Sequence, residues 1–162
     1  MSSPEVKDKL APYIKQLDQL DQFLKVAPQH WVDNLFLRRL TLPGSEEHIS
    51  CIYWAGHHYV TGTDIIRALR FRCRLRGYLV VKSKKYEEGV FSDLRHLRPG
   101  KESRLEAPRS ELLDLLFRFN CVRTKKKQKL FQWKAVRWDR LFDDALRRDQ
   151  RREVAHEEMT TV

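Results

Sequence analysis

Residues 49 to 60 alternate in the manner of an antiparallel hairpin, which favours an α+β fold over a purely helical one. Ile49, Cys51 and Tyr53 alternate with Ser50, Ile52 and Trp54, Ala55-Gly56 supplies a two-residue turn, and His58-Tyr59-Val60 returns. A second β-rich pair follows much later. Cys121-Val122-Arg123-Thr124 and Leu130-Phe131-Gln132-Trp133-Lys134-Ala135-Val136 bracket Lys125-Lys126-Lys127-Gln128-Lys129, which predicts a hairpin with a lysine-rich tip.

Between and around these runs the periodicity is helical. Leu10, Tyr13, Leu17, Leu20 and Leu24, widened by Ile14 and Phe23, form an amphipathic stripe with Ser3 and Pro4 suited to its start. Pro12 must sit near the first turn or kink that helix. Its apolar face packs on the domain core more readily than it forms a two-heptad coiled coil. Pro28 breaks the pattern, and a second short helix is expected to carry Trp31, Leu35, Phe36 and Leu40 up to Pro43-Gly44. Thr61-Gly62-Thr63 reads as a helix entry with Thr63 as N-cap and Asp64 in the first turn. Beyond Leu69, Arg70-Phe71-Arg72-Cys73-Arg74-Leu75-Arg76 fits either a strand, by strict alternation, or a helix, with Arg67, Arg70 and Arg74 on one face. Either geometry places several arginines together. Lys84 to Leu97 predicts a helix with Tyr86, Val90, Leu94 and Leu97 inward and Gly100 as its C-cap. Pro108 opens a helix from Ser110 to Phe119, rich enough in leucine to be central to the core. A last helix starts at Trp138 with Leu141, Phe142, Ala145 and Leu146 inward, and the polar tail from Arg151 is expected to fray.

The charge is unevenly placed. The 162 residues carry a net +10, yet residues 67 to 140 hold 22 basic and 8 acidic side chains, while both flanks are slightly acidic. Two clusters contain no acid at all: eight basic residues from Arg67 to Lys85 and seven from Arg123 to Arg137. An ordinary solvated face mixes both signs, so these clusters point to a polyanion, most often nucleic acid. Arginine forks onto phosphate or guanine, and a flexible lysine loop suits phosphate contact. The interleaved Phe71, Tyr78, Phe131 and Trp133 are explained as well by core packing as by base stacking. The lysine run would also serve as a nuclear-import signal.

Other chemistry lacks support. No apolar run approaches the roughly 18 residues of a membrane span, and the start of the chain lacks a secretion-signal plan, so an intracellular soluble protein is expected. Cys51, Cys73 and Cys121 are too few and too widely spaced for a disulfide framework or a zinc site, and reduced buried thiols are expected. His48, Cys51, His57 and His58 lack ligand spacing, and Asp64, Glu87, Glu88 and Asp93 are better explained by capping and exposure than as a nuclease metal site. With no phosphate-binding glycine loop, HExxH or GxSxG present, neither an enzyme nor a cofactor is expected.

Four stretches carry a family resemblance: Ser50-Cys51-Ile52-Tyr53-Trp54; Tyr59-Val60-Thr61-Gly62-Thr63-Asp64-Ile65-Ile66-Arg67; Lys84-Lys85-Tyr86-Glu87-Glu88-Gly89-Val90-Phe91-Ser92-Asp93-Leu94-Arg95; and Asn120-Cys121-Val122-Arg123-Thr124-Lys125-Lys126-Lys127-Gln128-Lys129. From about Trp31 to Arg152 the chain resembles the DNA-binding domain of the fungal STE (sterile-twelve-like) transcription factors. It departs in an arginine-rich segment from Leu69 to Leu79 and in His96, where the family leads us to expect Asn. The resemblance implies a nuclear, sequence-specific DNA-binding domain of a regulator of mating, filamentation and invasive growth. It also implies TGAAAC-type pheromone-response elements, control by a MAP kinase cascade, multimers or other transcription factors as partners, and a much longer parent protein.

The expected architecture is therefore an α+β, helix-rich single domain with two β-hairpins, winged-helix-like, the alternative being a homeodomain-like all-α domain. Residues 1–27 would form the N-terminal helix, 28–153 the STE-type domain and 154–162 a polar tail. The helix from Thr63 would approach the major groove and the lysine hairpin would straddle phosphates. The expected DNA-contacting set is Arg67, Arg70, Arg72, Arg74, Arg76, Lys82, Lys84, Lys85, Arg123, Lys125, Lys126, Lys127, Gln128 and Lys129. The rival reading is a protein-interaction module whose basic face docks an acidic partner.

Overall fold

A computed structural model describes residues 4–162, with side-chain surroundings from residue 11 onward; Ser3 and the Leu10 side chain lie outside the described residues. Five strands, β1 (Leu37–Thr41), β2 (His48–Trp54), β3 (His57–Thr61), β4 (Ser103–Glu106) and β5 (Gln128–Gln132), form one antiparallel sheet in the order β1-β2-β3-β5-β4. The helices are α1 (Pro4–Val26), α2 (Gly62–Leu75), α3 (Ser83–Leu94), α4 (Glu111–Arg118) and α5 (Trp138–Val154). The α+β class holds, and the sheet rules out the all-α alternative. Among the described residues no helix is long and apolar enough to cross a membrane.

Alternation along the strands divides the core in two. Ile49, Cys51, Val60 and Phe131 face a large cluster built with α1, α2, α3 and α5. Ile52, Tyr59 and Leu130 face the opposite side, where Leu112, Leu113 and Leu116 of α4 join Cys121 and Val122 in a smaller cluster. The α4 helix is thus a short lid over one face, with Phe117 and Phe119 exposed, rather than the centre of the core.

The β2–β3 hairpin forms as expected, with Ala55 and Gly56 both at positive φ in the turn. Several other expectations give way. Leu37 to Thr41 is an edge strand, not the end of a second helix: positive φ at His30 and Asn34 breaks the chain, and all five residues pair with β2. The α2 N-cap is Thr61, not Thr63; its Oγ1 accepts from the Asp64 N–H at 3.1 Å. The segment from Arg70 is helical through Leu75. The α3 helix stops at Leu94, and Gly100, at positive φ, lies instead in the turn before β4. Pro12 stays inside α1, which among the described side chains docks through its C-terminal half: Leu20 and Leu24 are buried, Tyr13 and Ile14 exposed. The second hairpin does not form. Residues 121–127 are irregular, and β5 pairs with β3 and β4.

A buried polar cluster fastens these layers. Asp64 is inaccessible to solvent; its carboxylate accepts from the Ser50 N–H of β2 at 2.9 Å and from Arg67 at 3.0 Å. Arg67 also donates to the Asn120 carbonyl at 2.7 Å and lies 3.2 Å from the Glu47 carboxylate. Thr61 Oγ1 donates to the Cys121 carbonyl at 2.7 Å, and Arg39 donates to Ser50 Oγ and to the Phe119 carbonyl. Three successive carbonyls at the end of α4 are thereby held to β1, β3 and α2. Burial pushes the Asp64 carboxyl up to about 7, against the pull of the Ser50 N–H and Arg67. Burial, with Arg39 and Arg67 adding repulsion, pushes the neighbouring His48 down to about 4.

A second carboxylate secures the end of the chain. Asp149 on α5 accepts from the Thr160 N–H at 3.0 Å, Thr160 Oγ1 at 2.7 Å, Thr161 Oγ1 at 2.6 Å and Arg152 at 2.6 Å. Burial pushes its carboxyl up, but hydrogen bonds from Thr161, Thr160 and Arg152 outweigh burial and hold it below the ordinary range. The tail therefore does not fray at Arg151. Thr160 and Thr161 are buried, and the Thr160 carbonyl accepts from the N–H groups of Val81 and Lys82, bracing the turn into α3.

Asp149→Ala would strand several buried donors at once. It should cost about 2–4 kcal/mol in urea denaturation and expose the 160–162 amides to hydrogen exchange; unchanged protection there would contradict the latch. The two buried titrating groups predict opposed pH slopes. Folded Asp64 binds its proton above the ordinary 3.8, so its contribution grows as pH falls through about 7. Folded His48 resists the proton that the unfolded chain takes up near 6.5, so its contribution is lost as pH falls. His48→Gln removes the second slope, so relative to the unmodified chain its stability should fall less, or rise more, as pH drops from 7 to about 5; an unchanged slope over that window would contradict the assignment.

Candidate nucleic-acid interface

The α2 helix carries most of the arginines singled out from the sequence, yet nine of its fourteen residues are buried, Arg67 and Arg72 among them. Arg72 donates to Asp139 at 2.7 Å and lies over the Phe142 ring at 4.7 Å. The five arginines split between two sides. Arg67, Arg70 and Arg74 line one cavity with Glu47 and Tyr78, whereas Arg72 and Arg76 both stack on Phe142 of α5. Arg74 is exposed but donates to the Pro43 carbonyl at 2.6 Å and lies over Phe71. With nine of its fourteen residues buried, α2 leaves only Arg70, Arg74 and its two ends open to solvent.

The α3 helix has an exposed face. Tyr86, Val90 and Leu94 turn inward at the helical spacing, which leaves Lys84, Glu88, Phe91 and Arg95 as an exposed stripe with Lys85 and Ser92 beside it. Lys84 and Arg95 are eleven residues apart, about 16 Å along the axis. Arg148 crosses Gly89, where a Cβ would lie 2.8 Å from its Nε, and reaches Asp93 at 2.7 Å. That pair fixes α3 on α5 and removes Asp93 from the exposed face. Lys82, at the helix N-cap, is exposed and lies 3.0 Å from Glu158.

The lysine run is exposed as expected, although as a loop and not as a hairpin tip. Arg123, Lys125, Lys126 and Lys127 are exposed, Gln128 and Lys129 half-buried at the start of β5. Its root is the clamped stretch Phe119-Asn120-Cys121. Asn120 takes the positive φ that ends α4, as asparagine tolerates, and the Cys121 N–H returns to the Leu116 carbonyl at 2.8 Å. Thr124 Oγ1 accepts from the Lys126 N–H and Gln128 Nε2, and Lys125 lies over Phe117 at 5.1 Å.

Loop and helix meet. An open groove of about 290 Å³ is bounded by Arg95 and Phe91 of α3, Lys127 and Lys129 of the loop, and Gly62 and Thr63 at the N-terminus of α2. Three cations and the positive end of a fourteen-residue helix converge on it without an acidic lining residue. Lys127 and Lys129, which the sequence placed in the expected contacting set, line this groove, and so do Arg95 and Phe91, which were left out of that set. The 84, 88, 91, 95 spacing was the signal that would have found them.

The remaining chemistry is quiet. All three cysteines are buried and free; burial pushes Cys51 up to about 12 and Cys121 up to about 11, so neither is a ready nucleophile. No group of three potential metal ligands occurs among the described residues.

Residues 21–162 match the model of the STE like transcription factor family. The chain is 48% identical over 149 residues to the transcription factor MST12 of Pyricularia oryzae, covering 92% of this chain and 21% of that protein. Protein STE12 of Saccharomyces cerevisiae is 44% identical over 148 residues, covering 91% and 22%. The transcription factor CPH1 of Candida albicans is 42% identical over 149 residues, covering 92% and 23%. The chain thus spans about a fifth of the length of these curated relatives. No solved structure matches it. A domain with an acid-free basic groove beside an exposed helical stripe, matched over nearly its whole length by transcription factors, belongs to the STE-like transcription factor family.

Proposed function

We propose that this chain is the sequence-specific, double-stranded DNA-binding domain of a fungal regulator of mating, filamentous and invasive growth, acting in the nucleus on TGAAAC-type elements. The observation that carries the reading is the convergence of Arg95, Lys127 and Lys129 on one groove at the end of an exposed helical stripe. An α-helix fits the major groove of B-DNA, and cations on either side of it meet the flanking phosphates.

Within this reading α3 takes the place expected of α2. Lys84, Lys85, Arg123, Lys125, Lys126, Lys127 and Lys129 serve as phosphate anchors, Gln128 sits at the edge of the loop, and Arg95 is available for bidentate contact with guanine. Arg70, Arg74 and Arg76, toward the far end of α2, and Lys82, at the start of α3, extend the positive field. Arg67 and Arg72 act indirectly: one holds the root of the lysine loop, the other holds α2 on α5. Multimer formation and contacts with other transcription factors or MAP kinase regulators involve the larger part of the relatives' length that lies beyond this domain.

A mobility-shift titration of the 162-residue chain against a TGAAAC duplex and its scrambled counterpart tests the function. Tighter binding to the element by at least about a hundredfold is expected; equal affinities would favour the rival, an acidic protein partner. Replacing Lys125, Lys126 and Lys127 together by Ala should weaken binding to every duplex alike and reduce the slope of log K against log salt by about 2 to 3. An unchanged slope would remove the loop from the phosphate contacts.

A further inference from the structure

Phe91 is the most anomalous residue on the basic face. It is 39% exposed in a chain whose other α3 hydrophobics, Tyr86, Val90 and Leu94, are buried. Among the described residues no other aromatic ring pairs with it and no cation lies over it, unlike the exposed Phe117, which has Lys125 across its ring, or Phe119, which packs on Phe36. Its position is nevertheless fixed. Gly62 lies directly beneath, where a Cβ would stand 3.0 Å from Phe91 Cε1, so one edge of the ring is seated while the rest faces the groove.

The surroundings define what the open part of the ring would meet. Arg95 follows one helical turn later, Lys127 and Lys129 stand across the groove, and Glu88 precedes it by one turn. A phenyl ring offers no hydrogen bond, so it contributes to recognition only through apolar contact. On the major-groove edges of stacked B-DNA the apolar group on offer is the C5-methyl of thymine. Insertion of the ring between base steps belongs to minor-groove binding, and a helix about 10 Å across does not enter a groove about 6 Å wide.

We propose that Phe91 is a specificity-determining residue that reads a thymine methyl in the major groove, flanked by Arg95 and Glu88 as the polar readers of neighbouring base pairs. The inference rests on the DNA-binding reading above. Gly62 supplies the seat, and the clamped lysine loop holds the duplex against it.

The test crosses protein and DNA changes. Each thymine of the TGAAAC duplex is replaced in turn by deoxyuridine, which deletes the methyl alone, and affinities are measured for the unmodified chain, Phe91→Ala and Phe91→Leu. One position should weaken the unmodified chain about fourfold, the factor expected for one buried methyl at about 0.8 kcal/mol. Phe91→Ala should be indifferent to the methyl at that position, and Phe91→Leu should keep part of the response. If no thymine methyl matters to the unmodified chain, or if both variants keep its full response, the inference is overturned while preference for the element over scrambled DNA leaves the DNA-binding reading standing. If the unmodified chain does not distinguish the element from scrambled DNA, both fall. Phe91→Leu, close in shape, decides the matter should the alanine variant unfold.

Discussion

The architecture depends on a buried carboxylate. Asp64 sits inaccessible at the start of α2, and its two oxygens face Arg67 and a β2 amide. A charge pair in such a place adds little net stability, because desolvation consumes most of the attraction, but removing either partner leaves an uncompensated buried charge. Its value is positional. Through Arg67 and Thr61 the same cluster captures the carbonyls of Asn120 and Cys121, and so fixes where an otherwise irregular, strongly cationic loop leaves the body of the domain. Residues 121–127, with three lysines and an arginine, would repel one another into an ensemble without that root.

This division of labour explains why, on the proposed reading, α3 takes the DNA-facing role that the sequence suggested for α2. Alternating arginines make α2 look like a DNA-facing element, yet arginine is also the cation best able to be buried, because its planar fork satisfies several acceptors at once. Arg67 answers Asp64 and Asn120, while Arg72 answers Asp139 and stacks on Phe142. Of the acids that neutralise them, Asp64 lies one turn away on α2, just before the run, while Glu47 and Asp139 come from elsewhere in the chain. A run without acids in sequence is therefore not a surface without acids in space.

What was legible follows the range of the interactions. The β2–β3 hairpin, the exposed lysines, the inward face of α3 and the start of α5 rest on local patterns, and the structure contains them. The edge strand at Leu37–Thr41 and the insertion of β5 between β3 and β4 depend on pairings between distant segments, which no periodicity announces. The second hairpin failed for this reason: Leu130 to Gln132 is a strand, but its partners lie at 59–61 and 103–106, not across the lysines. In the groove, lysines stood out by composition, whereas Arg95 and Phe91 were hidden inside a helix already explained by its buried stripe.

Arginine and lysine thus sort by chemistry. The buried or half-buried cations with carboxylate partners, Arg67, Arg72, Arg104, Arg148 and Arg152, are all arginines. Exposed lysines cluster on the loop and at the start of α3. Buried pairs are screened by salt much less than exposed charges, so the domain's response to ionic strength comes mainly from its exposed lysines and arginines and not from its full complement of basic residues. On the proposed reading, specificity then comes from what the field does not supply: a few fixed groups on one rigid helix. The α3 helix is held at both ends, by Asp93–Arg148 on α5 and by the tail braced on Asp149, which is the rigidity that reading base edges requires and backbone anchoring does not.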